Sequence, residues 1–130
     1  MLGLVVVSHS QKVAQGVKDI AEQMNNGMVK IVEAGGVDED RIGTNPLKIQ
    51  AAIEEAYDQG PVLVFADLGS AIMNAELAID LVDNEIKKQI TIVNAPLVEG
   101  VIAAVIQATI SDDVEDIIRT AVASKDLNKI

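Results

Sequence analysis

The chain alternates between short β-branched runs and stretches with helical periodicity. Leu2 to Val7 is a continuous, Val-rich run, the pattern of a buried strand. Val13, Ala14, Val17, Ile20, Ala21 and Met24 then recur at helical spacing, which predicts a helix beginning near Ser10 and stopped by Asn25-Asn26-Gly27. Met28 to Val32 reads as a second strand, and Glu33 to Asn45 as a loop carrying Gly35-Gly36 early and Gly43-Thr44 late. Asn45-Pro46 is a strong helix start, with Asn as the cap and Pro at the first helical position. Its apolar stripe is Ile49, Ala52, Ile53, Ala56 and Tyr57, and Gly60-Pro61 ends it.

Pro61 to Ala66 is a third strand, and Asp67-Leu68-Gly69-Ser70 is a turn in which Ser70 is expected to cap a helix over 71–84. Gln89 to Val93 forms a fourth strand, closed by Asn94-Ala95-Pro96. A helix from Leu97 to Ile110 follows. Asp112 and Glu115 suggest a capping box for a last amphipathic helix containing Ile117, Ile118 and Ala121. This order predicts an α/β fold: an open parallel four-stranded sheet with helices on both faces, a flavodoxin-like three-layer sandwich. The expected strand order is 2-1-3-4, with the ligand crevice between strands 1 and 3. No linker or repeat divides residues 1–130, so one domain is expected.

Composition narrows the function. Hydrophobic residues make up 49 % of the chain but aromatic ones only 2 %, so the core must be built from Val, Ile, Leu and Ala. There is no Cys and a single His, which argues against disulfides and a structural zinc site. A formal net charge of -10 argues against nucleic acid and against an anionic membrane, and favours a basic protein partner. No apolar run reaches the ~20 residues of a membrane-spanning helix, and the N-terminus does not read as a signal peptide; a cytoplasmic location is expected. Asp38-Glu39-Asp40 reads as a solvated loop rather than a metal site, and no metal is expected.

Open parallel sheets bind ligands at the carboxyl ends of their strands. Ser8-His9-Ser10, Asp67-Leu68-Gly69-Ser70, Asn94-Ala95-Pro96 and the Gly35-Gly36 loop all fall on that edge. Neighbouring strands 1 and 3 would bring His9 to Asp67. A neutral imidazole attacks phosphorus through one nitrogen while a carboxylate accepts the N–H of the other and stabilises the cation that forms. Backbone N–H groups at helix starts near Ser10 and Ser70 are suited to phosphoryl oxygens. Each residue also has a plainer reading: His9 as a residue at a helix start, Asp67 as a cap, Ser8, Ser10, Thr44 and Ser70 as turn residues, Gly35-Gly36 as a turn. No Walker loop and no Gly-x-Ser-x-Gly elbow occurs. The helices over 71–84 and 97–110 are apolar on more than one face, which predicts a homodimer; the alternative is that the last helix covers its predecessor.

Four segments in order resemble a known family: Val7-Ser8-His9-Ser10, the Gly35-Gly36 loop closing with Ile42-Gly43-Thr44, Asp67-Leu68-Gly69-Ser70-Ala71, and Ala95-Pro96-Leu97-Val98-Glu99-Gly100. The chain resembles the phosphotransferase subunits (DhaM) of phosphoenolpyruvate-dependent dihydroxyacetone kinases, within the mannose-type enzyme IIA family of the phosphotransferase system. The resemblance implies that His9 accepts phosphate from the carrier protein HPr and that Asp67 orients it. It implies that the phosphate passes to ADP on the nucleotide-binding subunit of the kinase. ADP and Mg²⁺ would then sit on that partner, with no cofactor on this subunit. It makes Ser8, Ser10, Gly35, Gly36, Thr44, Gly69 and Ser70 candidates for the phosphoryl pocket, and Pro96, Leu97, Val98 and Glu99 candidates for a partner-facing rim. It also implies a dimer. Some members carry further domains resembling HPr and enzyme I; here those are expected from other proteins. Two alternatives stay open: a sugar-transport IIA domain donating to a IIB protein, and a non-enzymatic module binding a small anion. A histidine phosphatase is disfavoured, because Ser8 stands where such enzymes need an Arg beside the nucleophile.

Overall fold

The computed structural model describes residues 1–39 and 41–130, so the Asp40 part of the acidic stretch lies outside the described residues. Four parallel strands, β1 (Leu2–Ser8), β2 (Val29–Gly35), β3 (Val62–Ala66) and β4 (Ile90–Ile92), form one sheet in the order β2-β1-β3-β4. Between and after them run α1 (Gln11–Met24), α2 (Pro46–Ala56), α3 (Gly69–Leu81), a single turn α4 (Asn84–Lys87), α5 (Leu97–Ala108) and α6 (Val114–Ala123), then a 3₁₀ turn over Ser124–Asp126. The doubly covered parallel sheet expected from the sequence is the one observed. Its central strands are buried on both sides, which is why they read as unbroken Val and Leu runs rather than alternating ones.

Two apolar clusters flank the sheet. Leu4, Val6, Leu63 and Phe65 face α1, α5 and α6, while Val5, Val7, Val62 and Val64 face α2 and α3. The period-2 alternation of strand side chains sorts them to the two faces. Ala residues dominate the helix contacts, so the helix backbones lie close to the sheet.

Several boundaries differ from the sequence reading. Strand β2 continues through Ala34 and Gly35, which pair with Val7 and Ser8 of β1. Pairing with a distant strand, not local propensity, extends it. Ser70 does not cap α3: it lies inside the helix, the cap position is Leu68, and no side chain caps this end. α3 also ends early, because Val82 leaves helical geometry to bury its side chain in the α2–α3 cluster, and Asp83 then starts the short α4. The last helix is capped by Asp113, whose carboxylate accepts the Glu115 N–H at 3.1 Å, rather than by Asp112. Other caps are as the sequence suggests: Ser10 accepts from Val13 N–H, and Asn45 from Leu47 N–H.

The apolar helix over 97–108 is covered from within the chain. Its Val101, Ala104, Val105 and Ala108 are packed in the cluster with α1 and α6. That is the alternative reading for this face of the helix, while Val98 and Ile106 on α5 stay exposed. α3 is different. Met73, Leu77 and Leu81, spaced by four residues, are 65 %, 54 % and 53 % exposed. No described helix is long and apolar enough to cross a membrane.

Candidate functional site

Parallel register places the site. Ser8 ends β1 opposite Gly35 of β2, and Val7 pairs with Ala66 at the end of β3. The next residues of the two central strands are His9 and Asp67. They emerge side by side, where the chain turns toward α1 on one face and α3 on the other.

Four donors converge on the Asp67 carboxylate. Oδ2 accepts the Ser8 hydroxyl at 2.8 Å and the His9 backbone N–H at 3.0 Å. Oδ1 lies 2.9 Å from His9 Nδ1 and accepts the Leu68 N–H at 2.7 Å. Burial alone would push the Asp67 carboxyl up, but the bonds from the His9 ring, the His9 N–H, the Ser8 hydroxyl and the Leu68 N–H outweigh it and hold the carboxyl below its ordinary value. Asp67 is therefore an anion at neutral pH.

An ionised carboxylate only accepts, so His9 Nδ1 carries the proton facing it. In the neutral ring Nε2 then holds the lone pair. Nε2 lies 2.5 Å from Ser70 Oγ, at the exposed side of the pair. Ser70 is the second residue of α3, and the N–H groups of Gly69 and Ser70 have no acceptor among the described residues. These are unsatisfied first-turn donors, at the positive end of the helix. The ring is thus fixed in one tautomer, its unprotonated Nε2 accepting the Ser70 hydroxyl at an anion-favouring helix start. The His9 and Asp67 side chains are each 21 % exposed, so the nucleophile is held firmly yet reachable. A cleft of about 420 Å³ opens beside Asp67, between the turns after β3 and β4, lined by Leu68, Gly69, Ile72, Asn94 and Ala95 among others.

The remaining candidate residues divide into two groups. Gly69, Ser70 and Thr44 lie at the open side: Thr44 follows Gly43, whose N–H donates to His9 O at 2.8 Å. Ser8, Ser10, Gly35 and Gly36 are engaged behind it. Ser8 is buried, its hydroxyl donating to Asp67 and accepting from Ser10 N–H at 3.1 Å. The Ser10 hydroxyl caps α1. Gly35 packs against the α1 start so tightly that a Cβ would lie 2.6 Å from Ser10 O. Gly36, at φ +75°, turns the chain and donates to Ser8 O. These four set the frame of the site rather than its open face. Among the rim candidates, Leu97 is turned into the core at 9 % exposure, and so is no rim residue. Pro96 occupies the N-cap position of α5 without a capping side-chain bond, Val98 is exposed, and Glu99 is held by Lys129 Nζ at 2.7 Å.

Two residues escaped the sequence reading. Lys48 Nζ donates to Gly35 O at 2.6 Å, fastening α2 to the glycine loop. Asn74 Nδ2 donates to Thr44 Oγ1 at 2.5 Å, one turn along α3 from Ser70. An isolated amide inside an apolar helix was the available signal for Asn74. Among the described residues, no group of three or more His, Asp or Glu is placed to hold a metal ion.

Residues 3–118 match EIIA-man, described as the PTS system fructose IIA component. The chain belongs to this family. Within it, the chain is 38 % identical over 119 residues to a Listeria innocua protein named PEP-dependent dihydroxyacetone kinase 2, phosphoryl donor subunit DhaM, covering 92 % of this chain and 95 % of that one. It is 40 % identical over 121 residues to the Escherichia coli phosphoryl donor subunit DhaM, covering 91 % of this chain but 26 % of that longer protein. A crystal structure of EF1359, a protein titled as of unknown function, superimposes with a TM-score of 0.84 at 40 % identity over 92 % of both chains. The fold is thus shared with a solved structure at 40 % identity.

Proposed function

We propose that this EIIA-man protein is the phosphohistidine carrier of a phosphoenolpyruvate-dependent dihydroxyacetone kinase. The observation that carries the reading is the His9 ring, fixed through Nδ1 by Asp67 and presenting Nε2 at the start of α3. The relatives named as phosphoryl donor subunits of that kinase favour it over a sugar-transport role.

In this reading the Nε2 lone pair attacks the phosphorus of a phosphohistidine on HPr. The donor N–P bond breaks and its electron pair returns to the donor ring, while a new N–P bond forms on His9. The positive charge that appears on the His9 ring is stabilised by the Asp67 anion, and the Ser70 hydroxyl and α3 N–H groups take the phosphoryl oxygens. Attack by a β-phosphate oxygen of ADP on the nucleotide-binding subunit then breaks this N–P bond and restores the neutral ring; Mg²⁺ travels with the nucleotide. No Lys or Arg lies in the turns after β1, β3 and β4, although Lys12 and Arg41 line a cleft beside Ser10; the donors that meet His9 directly are neutral. A relay works best when it holds the group about equally before and after each transfer.

The reading includes a homodimer joined through the Met73, Leu77 and Leu81 face of α3, and a cytoplasmic location. Its test is to incubate the protein with phosphoenolpyruvate, enzyme I and HPr, and then add the nucleotide-binding subunit loaded with ADP. The expected result is an acid-labile, base-stable phosphate on His9, absent in His9→Ala, that is discharged by the loaded subunit. A stable phosphoprotein discharged only by a IIB protein would overturn the dihydroxyacetone assignment; uptake by His9→Ala would overturn the carrier itself.

A further inference from the structure

Asn74 holds Thr44 by two contacts. Its Nδ2 is 2.5 Å from Thr44 Oγ1 and 3.5 Å from Thr44 O. A backbone carbonyl accepts and never donates, so the amide face turned toward Thr44 is the NH₂ group. The Thr44 hydroxyl is therefore an acceptor in this pair. Its own hydrogen has no acceptor among the described residues, although the residue is only partly exposed. The loop that carries it is pinned to the reactive residue itself, through Gly43 N–H to His9 O at 2.8 Å. Asn74 stands four residues after Ser70, on the same face of α3, and Ser70 Oγ touches Nε2. The hydroxyl is thus held to α3 one turn from Ser70, on a loop tied to the His9 backbone, with one lone pair engaged and one hydrogen to give.

We propose that Asn74 is a positioning residue that makes the Thr44 hydroxyl a fixed donor to the phosphoryl group carried on His9. The inference rests on the phosphocarrier reading above. Without Asn74, the Thr44 side chain would lose the anchor that fixes its rotamer, and aiming its hydrogen at a phosphoryl oxygen would cost conformational freedom that the amide otherwise removes beforehand. The amide does so without adding charge. Asn74 touches neither the reacting nitrogen nor the phosphate; it acts only through Thr44.

The test compares wild type, Asn74→Ala, Thr44→Val and the double variant, each charged with phosphoenolpyruvate, enzyme I and HPr. Two quantities are read: the phosphorylated fraction at a fixed phosphoenolpyruvate to pyruvate ratio, and the half-life of the isolated phosphoprotein. One neutral hydrogen bond is lost in each single variant, so the charging equilibrium should fall about three- to tenfold in both. The double variant should fall no further than the worse single one, since both changes remove the same donor. Asn74→Asp, nearly isosteric, should lose more than Asn74→Ala, because a carboxylate takes the Thr44 hydrogen and repels the phosphate. Thermal melts accompany each measurement. If Asn74→Ala lowers the melting temperature but charges and hydrolyses like wild type, or if the two single losses multiply in the double variant, the proposal is overturned while the carrier reading stands. A wild type that takes up no phosphate would overturn both.

Discussion

His9 Nδ1 and Asp67 Oδ1 lie 2.9 Å apart although they are 58 positions apart in the chain. The contact depends on β1 and β3 being adjacent and in register, so that the residues following Val7 and Ala66 leave the sheet together. The same carboxylate takes the His9 backbone N–H, which ties the ring to its main chain through one partner. Ring orientation, tautomer and backbone position are set by a single side chain.

Replacing that side chain by its amide should therefore do more than remove a charge. Asp67 accepts four hydrogen bonds and donates none. Asp67→Asn puts an NH₂ group against at least one of these donors. The expected cost is about 1–3 kcal/mol of stability, measured by urea denaturation. The rate of charging by phosphorylated HPr should drop by about two orders of magnitude or more, as for a displaced acid–base partner. Wild-type charging kinetics in Asp67→Asn would refute the orienting role.

Acid stability follows from the same bonds. The folded-state pKa of Asp67 lies below its ordinary 3.8. A carboxyl depressed on folding contributes its stability fully above the unfolded value, and loses it as pH falls through the folded one. The Asp67 contribution is thus constant at neutral pH and fades only below pH ~4. Denaturation midpoints of Asp67→Asn and wild type should differ by a constant amount near pH 7 and converge under acid. A difference that grew with acidification would contradict the sign of the shift.

Nitrogen NMR of the single histidine provides a direct check on the tautomer. With the ring neutral, the Nδ1 resonance should show a bonded proton and Nε2 none. Phosphate should appear on Nε2 after charging. Ser70→Ala should keep the tautomer, because Nδ1 is untouched, yet lower charging by about tenfold through loss of one donor to the phosphoryl group. An Nε2-protonated ring would remove the basis of the mechanism.

The α3 stripe predicts an association state. Leu77→Glu places a charge in the middle of Met73, Leu77 and Leu81, a side-chain site that is more than half exposed in the single chain. Light scattering should show a dimer for wild type and a monomer for Leu77→Glu, with helical content unchanged. A wild-type monomer across the micromolar range would leave the stripe without this role.

Gly35→Ala probes the frame behind the site. The added Cβ would meet Ser10 O at 2.6 Å, Ala14 Cβ at 2.7 Å and Gln11 Cα at 2.8 Å. Backbone must move to relieve it, at a cost of about 1–3 kcal/mol seen in thermal unfolding. The shift would displace the start of α1 and with it His9, so charging should also slow.

Much of this was legible in the linear pattern. The Val-rich runs and the Asn45-Pro46 start reflect local rules, and β1 and α2 begin where those rules put them, although α2 ends at Ala56, before the Gly60-Pro61 stop. The meeting of His9 with Asp67 was partly legible: crossover handedness limits the strand orders to a few, and the 2-1-3-4 order chosen among them is the one observed. What local rules could not supply was the role of individual polar atoms. Ser70 has the residue type of a cap but sits at the second helical position with its oxygen on a ring nitrogen. Ser8 looks like a pocket hydroxyl but lies behind the carboxylate. Leu97 borders a turn, yet turns inward.

The sequence by itself determined the layers and the turns where chemistry gathers, and narrowed the order of the strands, because hydrophobic period and chain handedness are properties of neighbours along the chain. Only the tertiary structure decided which nitrogen of His9 faces Asp67, that α1 and α6 bury one face of α5, and that Asn74 reaches Thr44. Those outcomes depend on distances of a few ångströms between side chains from different elements, and no local pattern encodes such distances.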